Sequence, residues 1–251
     1  MVRSVWPMMG ENAMLQIENL SFQYDQTMIL EDLSLMIARQ EIVALAGPNG
    51  SGKTTLIKNI MNLLEKQSGQ ILINHQQHTD AKVQKEIMYL PSEDYLPEFL
   101  TGKEYLSLLG QLCQTSLNQT LLAKLLRYYA MTDSVGQLID TYSHGMKKKI
   151  QLISAFIIQP PLLIIDETLN GMDIEAREIT KTLFHQYVQK DKAILLCTHD
   201  FSLVAALNAR ALLIHEGKIY YDSEQHAGET ATLDTIFYQM TAQGDGVYDL
   251  A

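Results

Sequence analysis

Gly47-Pro48-Asn49-Gly50-Ser51-Gly52-Lys53-Thr54-Thr55 is the stretch that decides how this chain folds. Upstream of it, Ile42-Val43-Ala44-Leu45-Ala46 is continuously apolar, the pattern of a strand buried on both faces. Downstream, Leu56, Ile57, Ile60, Met61 and Leu64 recur with helical spacing, so a helix is expected over 54–64. Strand, glycine-rich loop and helix, in that order, are the context in which G-x-x-x-x-G-K-[ST] cradles a triphosphate. The glycines let main-chain N–H groups approach phosphate oxygens, and the following helix turns its positive end toward them. In this frame Lys53 is placed for the β- and γ-phosphates and the Thr54 hydroxyl for Mg²⁺. Gly47, Pro48, Asn49, Gly50, Ser51, Gly52 and Thr55 complete the cradle. The motif alone specifies a nucleoside triphosphate and no reaction.

Two further apolar runs end at polar residues. Leu162-Leu163-Ile164-Ile165 stops at Asp166-Glu167, and Ala193-Ile194-Leu195-Leu196-Cys197 stops at Thr198-His199-Asp200. A helical stretch, Ile174 to Lys190, joins them, which predicts a right-handed βαβ crossover between parallel strands. Asp166 at a strand's carboxyl end faces the crevice where such sheets bind ligands and is a candidate Mg²⁺ carboxylate. Glu167 points differently and is a candidate general base for an attacking water. A single acid after a strand reads as a helix cap; two adjacent acids beside this loop make that reading minor. His199, at the next strand end, is placed to converge on the same γ-phosphate. His75 and His78 flank Gln76-Gln77 in a turn, and two imidazoles with no third ligand make a weak metal site.

Elsewhere, Leu15-Gln16-Ile17, Phe22 with Tyr24, and Leu33 to Ile37 alternate as short strands, and Ile71 to Ile73 and Ile87 to Leu90 add two more, the last closed by Pro91. Thr101 and Glu104 have capping-box spacing, and leucines cluster on helical faces over Tyr105 to Leu112 and Leu121 to Tyr129, so a helical subdomain is expected over 97–150. A hairpin is expected from Ala211 to Tyr221 around Glu216-Gly217. Lys147-Lys148-Lys149 reads as a solvated helix face.

A net charge of −10 over 251 residues argues against nucleic acid as a partner, because phosphate backbones demand a basic surface. Cys113 and Cys197 lie in apolar stretches without metal or redox spacing and read as buried thiols of a reducing compartment. No apolar run approaches the ~18 residues of a membrane span, so any membrane role needs a partner chain. Met1 to Ala13 lacks the continuous apolar region of a signal peptide and reads as a loosely ordered extension.

Beyond the loop, Tyr142-Ser143-His144-Gly145-Met146 looks like the signature Leu-Ser-Gly-Gly-Gln of ABC ATPases and precedes Asp166-Glu167 as the family order requires. Asn170-Gly171-Met172-Asp173 resembles the D-loop, His199 the switch histidine, and Tyr24 the aromatic that stacks on adenine. Over residues 14–222 the chain thus resembles the ABC transporter ATPase family. The resemblance implies an α/β fold: a P-loop core on a mainly parallel sheet (14–96 and 151–230), an N-terminal antiparallel β subdomain, an inserted helical subdomain, and a C-terminal segment (231–251). It implies ATP and Mg²⁺ as cofactors. It further implies head-to-tail pairing with a second ATPase subunit, identical or paralogous, in which Ser143 and Gly145 meet the partner's nucleotide. A separate transmembrane permease would hold the chain on the cytoplasmic face of the membrane. Tyr-Ser-x-Gly-Met-Lys-Lys resembles the ATPase subunits of bacterial exporters of peptides, drugs or polysaccharide precursors.

The chain departs from the family at Ser92, where a Gln normally reaches Mg²⁺ and the attacking water. Two replacements are open: Ser92 acting through a water, or Glu93 after a small backbone shift. His144, Met146, Thr168 and Gln40 are further departures, and none removes a phosphate donor or the base. Alternative readings are a soluble ABC ATPase acting on ribosomes or DNA, and an ATP-dependent regulatory module without hydrolysis. The absence of a fused second domain or long coiled-coil insertion disfavours the first, and the retention of Glu167 and His199 the second.

Overall fold

The computed structural model describes residues 12–226 and 231–242. In chain order, β1 (Ala13–Tyr24), β2 (Thr27–Ala38) and β3 (Ile42–Ala46) precede α1 (Lys53–Ile60), followed by β4 (Ser68–Ile73), β5 (Gln76–Gln77), α2 (Ala81–Gln84) and β6 (Ile87–Leu90). A helical stretch comes next: α3 (Gly102–Leu112), α4 (Gln119–Tyr128), a 3₁₀ turn at Ile139–Thr141 and α5 (His144–Ile158). The chain ends through β7 (Leu162–Asp166), α6 (Ile174–Val188), β8 (Ala193–Cys197), α7 (Phe201–Ala206), β9 (Arg210–His215), β10 (Lys218–Asp222) and α8 (Leu233–Ala242). The extension expected over 1–13 lies outside the described residues up to residue 11, as does the C-terminal segment beyond residue 242.

A six-stranded sheet of order β10-β9-β3-β8-β7-β6 carries the core, and a four-stranded sheet of order β2-β1-β4-β5 packs over part of it. The pairs of β3 with β8 and β9, of β7 with β8, and of β6 with β7 are parallel. The pairs β1 with β2, β1 with β4, and β9 with β10 are antiparallel. The continuous apolar runs follow from burial on both faces. Leu162, Ile164 and Leu195 pack with Leu15, Ile17 and Leu56 on one side. Leu163, Ile165, Ile194 and Leu196 pack with Ile153, Phe156 and Phe184 on the other.

Sequence expectation and structure differ in several places. The short N-terminal strands merge into one 12-residue strand, β1. Asn19 (φ 49) and its partner Asp32 (φ 51) break the alternation at bulges without ending the pairing. Helix α1 stops at Ile60, earlier than periodicity suggests, because Met61 caps it and Asn62 turns left-handed at φ 54. Met61 and Leu64 still pack on the core from the loop, which is why their spacing looked helical. Cys197 is buried, but Cys113 is only half-buried, at the end of α3. The Thr101–Glu104 capping box forms as expected, and Glu216 and Gly217, both at positive φ, close the β9–β10 hairpin.

The lysine run is not a solvated face. Lys148 has a side chain only 2% exposed and paired with Asp94, 2.9 Å away. Lys147 meets Glu98 at 2.6 Å and Lys149 meets Asp173 at 2.6 Å. Residues one apart on a helix point about 100° from one another, so three lysines spread around α5 and each found a different carboxylate.

Candidate functional site

Register brings the site together. Asp166 pairs with Cys197, and Leu45 pairs with the same cysteine, so β3, β8 and β7 end side by side at their carboxyl ends. Leu90 pairs with Ile165, which sets Ser92 beside the acid pair from the next strand. A cleft of about 340 Å³ lies over these ends, lined by Asn49, Gly50, Gly52, Lys53, Thr54, Thr55, Ser92, Asp166, Glu167 and, from β2, Ile29.

The loop 47–55 is held by main chain. A β-carbon on Gly47 would lie 2.3 Å from the Ile214 carbonyl, so only glycine lets the loop leave β3 against β9. The Gly217 amide of the β9–β10 turn donates to the Ser51 carbonyl at 3.1 Å. Gly52 (φ 107) starts α1 with no side chain capping it, so the first N–H groups of the helix are offered to an anion. Lys53 Nζ donates to the carbonyls of Gly47 (2.7 Å) and Pro48 (3.0 Å), which carries its ammonium across the loop. Among the described residues the Ser51 hydroxyl oxygen is buried without a partner. That orphaned group, the uncapped helix, the lysine and the hydroxyls of Thr54 and Thr55 are a donor set that fits a polyphosphate.

Asp166 is half-buried, and burial raises its proton affinity above that of an ordinary aspartate. The neighbouring charges of Glu167 and Glu93 push the same way, while a hydrogen bond from Tyr89 and the charge of Lys53 oppose it. Tyr89 Oη lies 3.1 Å from Asp166 Oδ2. A crowded carboxylate of this kind, next to a threonine hydroxyl, fits a divalent cation. Among the described residues no group of three His, Cys, Asp or Glu side chains could hold a metal ion by itself. That suits Mg²⁺, which typically takes one or two carboxylates and otherwise phosphate and water oxygens.

Glu167 is left-handed at φ 50, a conformation costing roughly 1–2 kcal/mol for a residue with a side chain. The turn parts the two acids: the Glu167 amide donates to Cys197, while its carboxylate meets His199 Nδ1 at 2.9 Å. Thr168, where the family commonly has Pro, is buried with its hydroxyl 3.2 Å from the Leu90 carbonyl, tying this strand end to β6. Ser92 Oγ donates to Glu93 Oε2 at 3.0 Å, so the two candidate replacements for the family Gln are bonded to each other.

Not every expected residue lines the cleft. Tyr24 is 45% exposed, its ring edge-on to Phe22 at 4.8 Å. Ser143 caps α5, accepting from the Met146 amide at 3.3 Å, and remains exposed; Gly145 follows it in the first turn. Sequence reasoning missed Tyr89, Ile29 and Gly217. A hydroxyl in the otherwise apolar strand Ile87 to Leu90 was the available signal for Tyr89. The contacts of Ile29 and Gly217 come from segments distant in sequence and left no local signal.

The family model described as ABC transporter matches residues 30–170. The peptide export ATP-binding protein SkfE of Bacillus subtilis (strain 168) is 30% identical over 211 residues, 83% of this chain and 88% of that protein. A putative ABC transporter ATP-binding protein of Onion yellows phytoplasma is 30% identical over 213 residues, 82% of this chain but 36% of the relative's length. A solved structure described as the ATP binding subunit of an ABC transporter superposes with a TM-score of 0.84 at 30% identity, covering 91% of this chain and 99% of that one. On the site's geometry and these matches together, the chain belongs to the ABC transporter ATP-binding family, whose ATP-binding domains are ATPases.

Proposed function

We propose that this chain binds Mg²⁺-ATP in the cleft at the strand ends and hydrolyses it to power a transporter whose membrane-spanning part is a separate permease. The observation that carries this reading is the convergence of Lys53, Thr54, Asp166 and Glu167 on one cleft, with His199 bonded to the Glu167 carboxylate. Lys53 and the N-terminus of α1 bind and orient the triphosphate. Mg²⁺, held by Thr54, Asp166 and, through water, Ser92, would neutralise the charge on the β- and γ-phosphates. Glu167 takes the proton of the attacking water, and His199, bonded to its carboxylate, fixes its direction. Tyr24 offers its exposed ring to the adenine.

Ser143 and Gly145, on an exposed helix start, would meet the γ-phosphate held by a second copy or a paralogue paired head to tail. Among the described residues no helix is long and apolar enough to cross a membrane. Tyr95 and Phe99, 81% and 80% exposed just beyond Ser92, offer apolar surface for a cytoplasmic helix of the permease. Export is favoured over import by the likeness to a protein named for peptide export.

Two variants test the reading. Lys53→Ala should abolish Mg²⁺-ATP turnover, a loss of about 10²-fold or more. Glu167→Gln should bind ATP, stop turning over and elute as a dimer by size exclusion in ATP and a monomer in ADP. Unchanged turnover in Lys53→Ala would sink the loop assignment, and a monomeric Glu167→Gln protein in ATP would sink the paired mechanism.

A further inference from the structure

Asp94 receives two side chains from one helix. Lys148 Nζ lies 2.9 Å from its Oδ1 and His144 Nδ1 lies 2.5 Å from its Oδ2, both reaching down from the first turns of α5. Lys148 also donates to the main-chain carbonyl of Ser92. A lysine side chain that is 2% exposed has lost its water and depends on such acceptors, so the segment 92–94 cannot part from α5 without stranding a buried charge. Burial by itself would raise the Asp94 carboxyl, yet the close contacts of Lys148 and His144 hold it below the usual carboxylate range.

His144 has a second neighbour. A β-carbon on Gly171 would lie 2.8 Å from its Cδ2, so the ring rests on the turn that follows the Asp166-Glu167 strand end. The first turns of α5 therefore touch the loop after β6 through Asp94 and the loop after β7 through Gly171 and the Lys149–Asp173 pair. Ser92 has a shorter side chain than the glutamine the family carries at this place. Where its main chain sits decides whether its hydroxyl, or the Glu93 carboxylate bonded to it, meets the ion's water shell.

We infer that Lys148 and His144 are positioning residues that clamp Ser92-Glu93-Asp94 to α5, so that the metal side of the cleft and the helix start bearing Ser143 shift as one body when nucleotide closes the site. The inference rests on the roles proposed above for Ser92 and Ser143. It gives the departures at 92 and 144 a common cause: a side-chain reach given up at 92 is replaced by a tether whose anchor includes the residue at 144.

The test is steady-state hydrolysis by the purified full chain against Mg²⁺-ATP and against free Mg²⁺, with binding of a fluorescent ATP analogue measured in parallel. Asp94→Asn and Lys148→Met should each lower kcat about tenfold and raise the Mg²⁺ needed for half-maximal rate, with analogue affinity within about twofold of wild type because the loop 47–55 is untouched. Lys148→Arg, which keeps the charge, should restore most of the rate. His144→Ala, at an exposed side chain that folding tolerates, should lower kcat about threefold with KM for Mg²⁺-ATP unchanged. Should Lys148→Met fail to fold, Asp94→Asn and His144→Ala decide. Wild-type kcat and Mg²⁺ dependence in both overturn the clamp, and so does a loss of rate that tracks loss of analogue binding and is not restored by Lys148→Arg. Failure of the underlying reading looks different, since wild type itself would then show no turnover that depends on Lys53.

Discussion

At the loop between β3 and α1 the fixing contacts are main chain: Gly47 lies against the Ile214 carbonyl, the Gly217 amide donates to Ser51, and α1 begins on a glycine. At the start of α5 they are side chains: Ser143 caps the helix, His144 and Lys148 hold Asp94, and Lys147 and Lys149 hold Glu98 and Asp173. A main-chain cradle fixes the glycines and leaves little else to vary, whereas a side-chain lattice keeps its shape when partners change together. Four of the five departures from the family pattern follow this division, and Gln40, at φ 63 ahead of β3, falls outside both halves. The loop 47–55 matches its motif fully, while Ser92, His144, Met146 and Thr168 all lie in or beside the side-chain half.

The strongest way to break this comparison is to add one methyl group to the main-chain half. Gly217 sits at φ 75 with the Ile29 carbonyl 2.2 Å from where a β-carbon would stand, and its amide supports Ser51. Gly217→Ala should therefore destabilise the fold by about 2–4 kcal/mol and weaken ATP binding, although residue 217 is absent from the cleft lining. Urea unfolding and nucleotide titration read the two effects. A loss under about 1 kcal/mol would mean that the turn yields easily and that the loop does not lean on it.

Tyr89 sharpens the comparison on the other side, since a strand presents Asp166 but a side chain orients it. Tyr89→Phe keeps the ring and removes the donor. The hydroxyl lowers the proton affinity of Asp166, so its loss leaves a carboxylate that is both less directed and more readily protonated. We expect the Mg²⁺ concentration for half-maximal turnover to rise about tenfold, with kcat largely recovered at saturating Mg²⁺. Unchanged Mg²⁺ dependence would place Asp166 under main-chain control alone.

The same division explains what could be read from the sequence. Lys53 and Thr54 are legible from the spacing of the glycine-rich loop between β3 and α1, and Asp166, Glu167 and His199 from their places at the ends of apolar strands, so local pattern and position at the strand ends coincide. The buried Lys148 reads as solvated from sequence because its partner Asp94 lies 54 positions earlier and no local pattern announces a desolvated lysine. Tyr89 and Gly217 were missed for the same reason, their partners being brought together by sheet register and by packing between the two sheets. Strand lengths were misjudged where Asn19 and Asp32 bulge, because a bulge breaks alternation without breaking hydrogen bonding.

Asp200 stands on the border between the two constructions, since it caps α7 directly after His199 and also bonds Arg177 of α6 at 2.5 Å. Its carboxyl is held down to about 2 first by the Ser202 hydroxyl and then, against burial, by the Leu203 amide and the Arg177 guanidinium. An acid whose folded value is depressed stabilises the fold when ionised. The contribution is complete above the ordinary value of 3.8 and is lost as pH falls toward about 2. The shift corresponds to about 2 kcal/mol before solvent screening, and about 1 kcal/mol is expected for a partly exposed pair. Asp200→Asn keeps a capping oxygen while removing the charge. The difference in unfolding free energy between wild type and variant should hold near about 1 kcal/mol at pH 5 to 8 and shrink below about pH 4. A difference that stayed constant into acid would assign Asp200 to the capping geometry alone.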